Sequence, residues 1–266
     1  MAGKRRLGVA VLLDPPVADE VNGLRRAVGD PSLARIPPHV TLVPPVNVRS
    51  ADLAAALAVL QRAAAVTRPA PLTLSIGAVS TFLPVNPVLY LGVAGDLEGL
   101  RTLRDAVFRG PLERRLSWPW VPHVTLADGT DEARIEAALA ALGDYTAQAV
   151  VDRVVLLEEG PGRRWSPLAD AALGPPARVG TGGLVVELVR GRLVDPRLEN
   201  ATATTAPPPV GPPVVVNAYR EGQPVGWARA APGADGTPVE VFVVEEHRRQ
   251  GIGGHLRAHI HWALSR

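Results

Sequence analysis

The chain has no cysteine in 266 residues, one methionine, one lysine (Lys4), three tyrosines and three phenylalanines. Without thiols there is no disulfide framework, no thiol nucleophile and no thiolate metal site, a composition suited to a reducing compartment. No apolar run approaches the length that crosses a bilayer, so no membrane partner is expected. A secretory leader is not expected either. Lys4-Arg5-Arg6 precedes the apolar run Leu7–Leu13, but Asp14-Pro15-Pro16 cuts that run short. The expectation is a soluble, cytoplasmic protein.

A strong excess of charge is also missing. The formal net charge is +2, yet the pI is near 9.5, because little in this composition titrates between neutrality and strong base. Every basic side chain except Lys4 is an arginine. Arginine forks suit phosphate, but acidic residues are nearly as numerous. Extended duplex binding calls for a stronger basic bias, so a small phosphate ligand or an RNA end fits better.

What the chain does have is a repeat. Pro38-His39-Val40-Thr41-Leu42 recurs without change as Pro122-His123-Val124-Thr125-Leu126, in a chain with six histidines. Both copies read as short strands that begin after a proline. Residues two apart on a strand point to one side. His39 and Thr41 therefore share a face, as do His123 and Thr125. A single strand histidine usually has a structural use; an identical pair calls for a chemical one.

The surrounding pattern repeats too. A strand at Leu7–Leu13 leads to a helix marked by Val17, Val21, Leu24 and Val28, then the first motif strand, ending at Val43 before Pro44-Pro45. Ser50 reads as the cap of a helix bearing Leu53, Leu57 and Leu60. Strands at Leu72–Val79 and Val88–Val93 follow. A helix marked by Leu97, Leu100, Leu103 and Val107 comes next, then the second motif strand and a helix marked by Ile135, Leu139 and Leu142. Val150–Leu157 reads as one final strand, followed by a loop through Gly160 to Trp165 and a close near Leu173-Gly174. Strand, helix, motif strand, helix thus occurs twice, as a two-lobed α/β (α+β) fold requires.

Paired His-x-Thr strands resemble the 2H phosphoesterase superfamily, which includes 2'-5' RNA ligase-like proteins and RNA cyclic phosphodiesterases. The resemblance spans roughly residues 5–174. It implies two pseudo-symmetric lobes, antiparallel sheets lining a cleft, and one motif from each lobe facing that cleft. Residues 1–174 are accordingly assigned to this domain, and residues 175–213 to a Pro/Gly-rich linker containing a strand at Leu184–Val189. The low-complexity stretch 201–213 reads as an extended spacer.

Residues 214–266 form a third part. Val214–Tyr219 and Val225–Ala230, joined by Glu221-Gly222-Gln223, read as a hairpin, and Val239–Val244 as a further strand. Arg248-Arg249-Gln250-Gly251-Ile252-Gly253-Gly254 then opens a helix. This run resembles the acyl-CoA-binding motif of the GNAT acyltransferases, with Arg248, Gly251 and Gly253 at its defining positions and Gly254 beside them. Glycines there let backbone N–H groups approach a pyrophosphate at a helix N-terminus. The resemblance implies CoA or acetyl-CoA as ligand. The sequence given stops at Arg266, directly after that helix, so the segment reads as part of an acyltransferase. The open sheet edge such a part would leave favours pairing with a second copy, a homodimer.

The chemistry of the pair is direct. Phosphodiester displacement needs one oxygen deprotonated on one side of phosphorus and another protonated on the opposite side. Two imidazoles can do both without a metal or other cofactor. Thr41 and Thr125 can donate to the non-bridging oxygens. The expected activity is hydrolysis of a 2',3'-cyclic phosphate or a 2'-5' phosphodiester in an RNA end or small nucleotide. An N-acetyltransferase with the first domain as substrate binder, and 2'-5' RNA ligation, are the alternatives. Which histidine is the base cannot be read from the sequence. Phe82, Tyr90, Trp118 and Trp120 serve either the core or as a stacking surface. Arg163 and Arg164 either reach a phosphate or sit in a solvated loop. His255 and His259 have helical metal-ligand spacing, but no third ligand accompanies them, and no metal site is assigned.

Overall fold

A computed structural model describes residues 3–180, 183–199, 212–231 and 238–265. The first sheet is made of β1 (Lys4–Leu12), β2 (His39–Arg49), β3 (Leu72–Thr81), β4 (Val88–Gly95), β5 (His123–Asp128), β6 (Thr146–Val151), β7 (Arg153–Glu159) and β8 (Trp165–Ala172). Four helices connect and cover it: α1 (Val17–Ala27), α2 (Leu53–Val66), α3 (Leu97–Val107) and α4 (Glu132–Ala141). The strand order is β6-β3-β4-β5-β2-β1-β7-β8, four strands on either side of the β5–β2 junction. All pairings are antiparallel.

The two halves of the sheet meet at one residue pair, Val40 against Val124. Each valine is the middle residue of its His-x-Thr motif. The repeat in sequence thus becomes a twofold relation in space, centred on the motifs. Alternation fixes which face each side chain takes. Val40, Leu42, Val124 and Leu126 are fully buried against the helices, in one core with Leu7, Leu57, Leu60, Leu100 and Leu103. His39, Thr41, His123 and Thr125 are only partly buried, on the face that carries no helix.

Several sequence expectations need correction. β2 does not end at Val43 but runs through Pro44-Pro45 to Arg49. Ser50 does not cap α2; its hydroxyl donates to the Gly3 carbonyl (2.8 Å) and Asp52 precedes the helix. Val150–Leu157 is not one strand. It breaks at Asp152 into β6, paired with β3, and β7, paired with β1 and β8. Asp152-Arg153 is a short polar interruption of an apolar run, and it cannot by itself reveal that the two halves pair towards opposite ends of a sheet. β8 was not anticipated, because Ser166-Pro167 looks like loop; at a sheet edge the missing N–H of Pro167 is tolerated.

A second sheet has the order β13-β12-β11-β10-β9. Its strands are β9 (Ala177–Val179), β10 (Val186–Gly191), β11 (Val214–Arg220), β12 (Gln223–Ala230) and β13 (Glu240–Val243). The short α5 (Pro196–Glu199) follows β10, and α6 (Ile252–Leu264) closes the unit. β10 corresponds to the strand expected at Leu184–Val189, shifted by two residues, whereas β9 was not anticipated. Residues 201–211 of the expected spacer lie outside the described residues. The β11–β12 turn is at Glu221 and Gly222, with φ of 51° and 78°, the paired positive φ that a two-residue hairpin turn requires. Val186, Leu188, Val216, Ala228, Ile252, Leu256 and Ile260 form a separate core.

Candidate active site

The antiparallel sense of β2 and β5 sets His39 across from Thr125, and Thr41 across from His123. The four side chains form a patch with each imidazole beside the other strand's hydroxyl. On the outer side, Leu12 pairs with His39 and Ala10 with Thr41, while Gly92 pairs with His123 and Tyr90 with Thr125.

Both rings are held the same way. His39 Nδ1 lies 2.8 Å from the Pro37 carbonyl, and His123 Nδ1 lies 2.8 Å from the Val121 carbonyl. A carbonyl only accepts, so each Nδ1 carries the proton and each Nε2 keeps its lone pair. No described residue bonds to either Nε2 or to the Thr41 and Thr125 hydroxyls.

Burial holds His39 down at about 4, opposed by the Pro37 carbonyl and aided by the charge of Arg25 and by His123. His123 is also lowered, by burial against the pull of the Val121 carbonyl. At neutral pH both free imidazoles are therefore uncharged acceptors.

Sequence reading missed the support beneath His39. Arg25 is 2% exposed. It pairs with Asp30 (2.7 Å) and donates to the Ile36 carbonyl (2.9 Å), fixing the loop that carries Pro37. Asp30 also accepts from the Ser32 backbone and hydroxyl. The readable sign was a charge on the stripe Val17-Val21-Arg25, where an apolar residue belongs.

A cleft of about 550 Å³ opens beside the second motif, lined by Thr41, His123, Phe82, Asn86, Trp118 and Trp120 among others. His39 and Thr125 share the sheet face but are not among its lining residues. Phe82 meets the His123 ring edge-on at 5.1 Å, and Tyr90 packs on Phe82 at 4.3 Å. Trp118 is 70% exposed and Val85 68%, so bare apolar surface lines this cleft. Trp120 has a different part: its indole N–H donates to the Thr41 carbonyl (2.8 Å), tying the segment before the second motif to the first motif strand. Arg114 makes a parallel tie to the Pro45 carbonyl (2.7 Å). Arg163 and Arg164 do not line the cleft. Arg163 is mostly exposed and reaches towards Glu159, which also pairs with Arg6.

The second candidate set lies between β13 and α6. Gly251 occupies the N-cap of α6 with φ of 81°, a left-handed conformation that favours glycine. At Gly253 a Cβ would meet only ordinary contacts of 3.7–3.8 Å, and at Gly254 nothing within 4 Å. Arg248 folds its Nε onto the Val243 carbonyl (3.2 Å). His255 and His259 lie on α6, and among the described residues no group of three His, Asp or Glu could hold a metal.

Comparison with known proteins gives two family matches: the 2'-5' RNA ligase superfamily over residues 13–163 and the acetyltransferase (GNAT) family over residues 192–266. A provisionally named phosphoesterase of Bacillus cereus (strain B4264) is 31% identical over 163 residues, 60% of this chain and 92% of its own length. One from Bacillus cytotoxicus gives the same identity and coverage. E. coli LigT, crystallised with 3'-AMP, superposes with a TM-score of 0.48 at 21% identity, covering 64% of this chain and 99% of that one. No helix of the described residues is long and apolar enough to cross a membrane.

Proposed function

The chain belongs to the 2'-5' RNA ligase superfamily, and from that premise we propose that its first sheet hydrolyses a 2',3'-cyclic phosphate or a 2'-5' phosphodiester at an RNA end or in a small nucleotide. The observation that carries this is the pair of imidazoles on adjoining strands, each with Nδ1 spent on a carbonyl and Nε2 open.

The asymmetry of the surroundings supports a division of roles. Phe82, Trp118 and Trp120 stand on the His123 side, where a nucleobase can stack at roughly 1–3 kcal/mol per base. A nucleoside seated there brings its ribose oxygen to His123, which then acts as the acid. His39, held neutral by burial, acts as the base. In the reaction His39 Nε2 takes a proton from water and the water oxygen bonds to phosphorus. The phosphorus–ribose oxygen bond breaks, and His123 gives its proton to that oxygen. The negative charge of the phosphodiester monoanion beside His123 favours the imidazolium, and the proton that His123 donates is the one it then carries on Nε2. Thr41 and Thr125 donate to the non-bridging oxygens.

The test is a mass-spectrometric screen against 2',3'-cyclic nucleotides and 2'-5' and 3'-5' dinucleotides, repeated with His39→Ala and His123→Ala. Each variant is expected to lose roughly two to four orders of magnitude of turnover. Near-normal rates in either one would refute the two-histidine mechanism.

For the second sheet the left-handed Gly251 at the start of α6 supports a weaker reading. There the free N–H groups and the helix dipole suit the pyrophosphate of CoA, with Gly251, Gly253 and Gly254 in the cradle and Arg248 at its rim.

A further inference from the structure

The second sheet is fastened to the first at the His39 half. β10 ends at Gly191, and the next two backbone N–H groups, Arg192 and Leu193, donate to the carboxylate of Asp170 on β8 at 2.8 and 3.0 Å. Asp170 is 8% exposed and also receives Arg153 Nη1 at 3.2 Å. The fit is close: a Cβ on Gly191 would lie 2.7 Å from Asp170 Oδ1. Arg192 then turns its guanidinium onto Asp14 with two bonds, 2.9 and 2.8 Å. Tyr219, which donates to Asp195 (2.8 Å), also meets Gln61 of α2. These fastenings end on β8, on α2 and on the corner after β1, none of which belongs to the β5 half of the sheet.

Asp14 matters because of what adjoins it. Its neighbour Leu13 donates its N–H to the Pro38 carbonyl (3.1 Å). Leu12, one residue earlier, is the strand partner of His39. Pro38 directly precedes His39, and Pro37 supplies the carbonyl that sets the ring's tautomer. The path from the second sheet to the first imidazole is therefore Arg192, Asp14, Leu13, Pro38, His39, all through hydrogen bonds or adjacent backbone. The Arg192–Asp14 pair is partly exposed, with side chains 37% and 41% accessible. Such a pair adds little to stability; its bidentate geometry serves better to fix direction.

We propose that Arg192 is a positioning residue for His39, so that the second sheet forms a working part of the first motif's setting and leaves the second motif untouched. It does not touch the substrate. It holds the β1 corner against which the Pro37–His39 segment is registered. A ligand that shifts β10 or its following loop would then change the His39 half of the site alone. This builds on the proposed hydrolase, but its first readout needs no substrate.

The experiment is an NMR titration of the His39 and His123 imidazoles in the full chain, for wild type and for Arg192→Ala. The groups that face His39 are Arg25 from α1 and His123 from β5; both are unchanged by the substitution. Loosening the corner admits more water to the partly buried ring, so the His39 midpoint should rise by about half a unit or more towards its ordinary value, while His123 stays within a smaller shift. On the best substrate, kcat should fall roughly ten-fold with KM retained, as expected for a displaced catalytic group. Arg192→Lys, which keeps the charge and loses the fork, should show the same direction and serves if the alanine variant does not fold. The reversed pair Asp14→Arg with Arg192→Asp should bring the midpoint back. A folded variant in which His39 titrates as in wild type would overturn the proposal. Equal movement of both histidines would overturn it too, since that signals general loosening. If no phosphodiester is turned over yet His39 alone shifts, the hydrolase reading falls and the positioning role stands.

Discussion

Acid should weaken this fold through His39 in a window set by its displaced titration. In the unfolded chain the ring takes a proton near 6.5; in the folded chain burial delays uptake to about 4. Between those values the unfolded state binds more protons, so stability falls as pH falls. It is highest above 6.5 and levels off below 4. At about 1.4 kcal/mol per unit the full displacement corresponds to roughly 3 kcal/mol. The ring is only partly shielded, which brings the expected loss to about 1–3 kcal/mol. His39→Asn removes the titration while leaving an amide able to donate to the Pro37 carbonyl. Urea unfolding of both proteins at pH 7.5, 6.5, 5.5 and 4.5 isolates the effect, because other groups cancel in the difference. The variant should gain on wild type by that amount between the first and last pH. Parallel curves would show that His39 is not held neutral by its surroundings, and the base role would lose its physical footing.

Trp120→Phe keeps the ring but leaves the Thr41 carbonyl without its donor, so stability should drop by about 1 kcal/mol, with a several-fold loss of turnover; an unchanged urea midpoint would remove the indole tie. Trp118→Ala, at an exposed position, should leave the melting temperature alone and raise KM about ten-fold; no change in KM would take the stacking surface away from the cleft. Exhaustive chelation should not reduce phosphodiester turnover, and loss with rescue by one divalent ion would mean the site is misassigned. Calorimetry with CoA should detect weak binding that Gly251→Ala diminishes, because alanine at φ of 81° costs about 1–2 kcal/mol; equal affinity in both proteins would place CoA elsewhere or nowhere.

The sequence by itself determined the pair of motifs, the faces they share and the duplication around them. Those follow from strand alternation and helical spacing, which depend on near neighbours. It also marked the glycine turn before the last helix, since a left-handed residue at a helix start is a local demand. Other features depended on residues far apart in sequence. That Val150–Leu157 breaks at Asp152 is decided by which strands wait at each end of the sheet. That Ser50 serves Gly3 instead of α2 is decided by β1 passing beside it. The difference between the two histidines arises only once Phe82, Trp118 and Trp120 gather on one side and Arg25 slides beneath the other. Arg192 gave no sign in sequence. Its meaning is the position of a second sheet against one half of the first, and only tertiary structure brings an arginine and an aspartate 178 positions apart to the corner that holds His39.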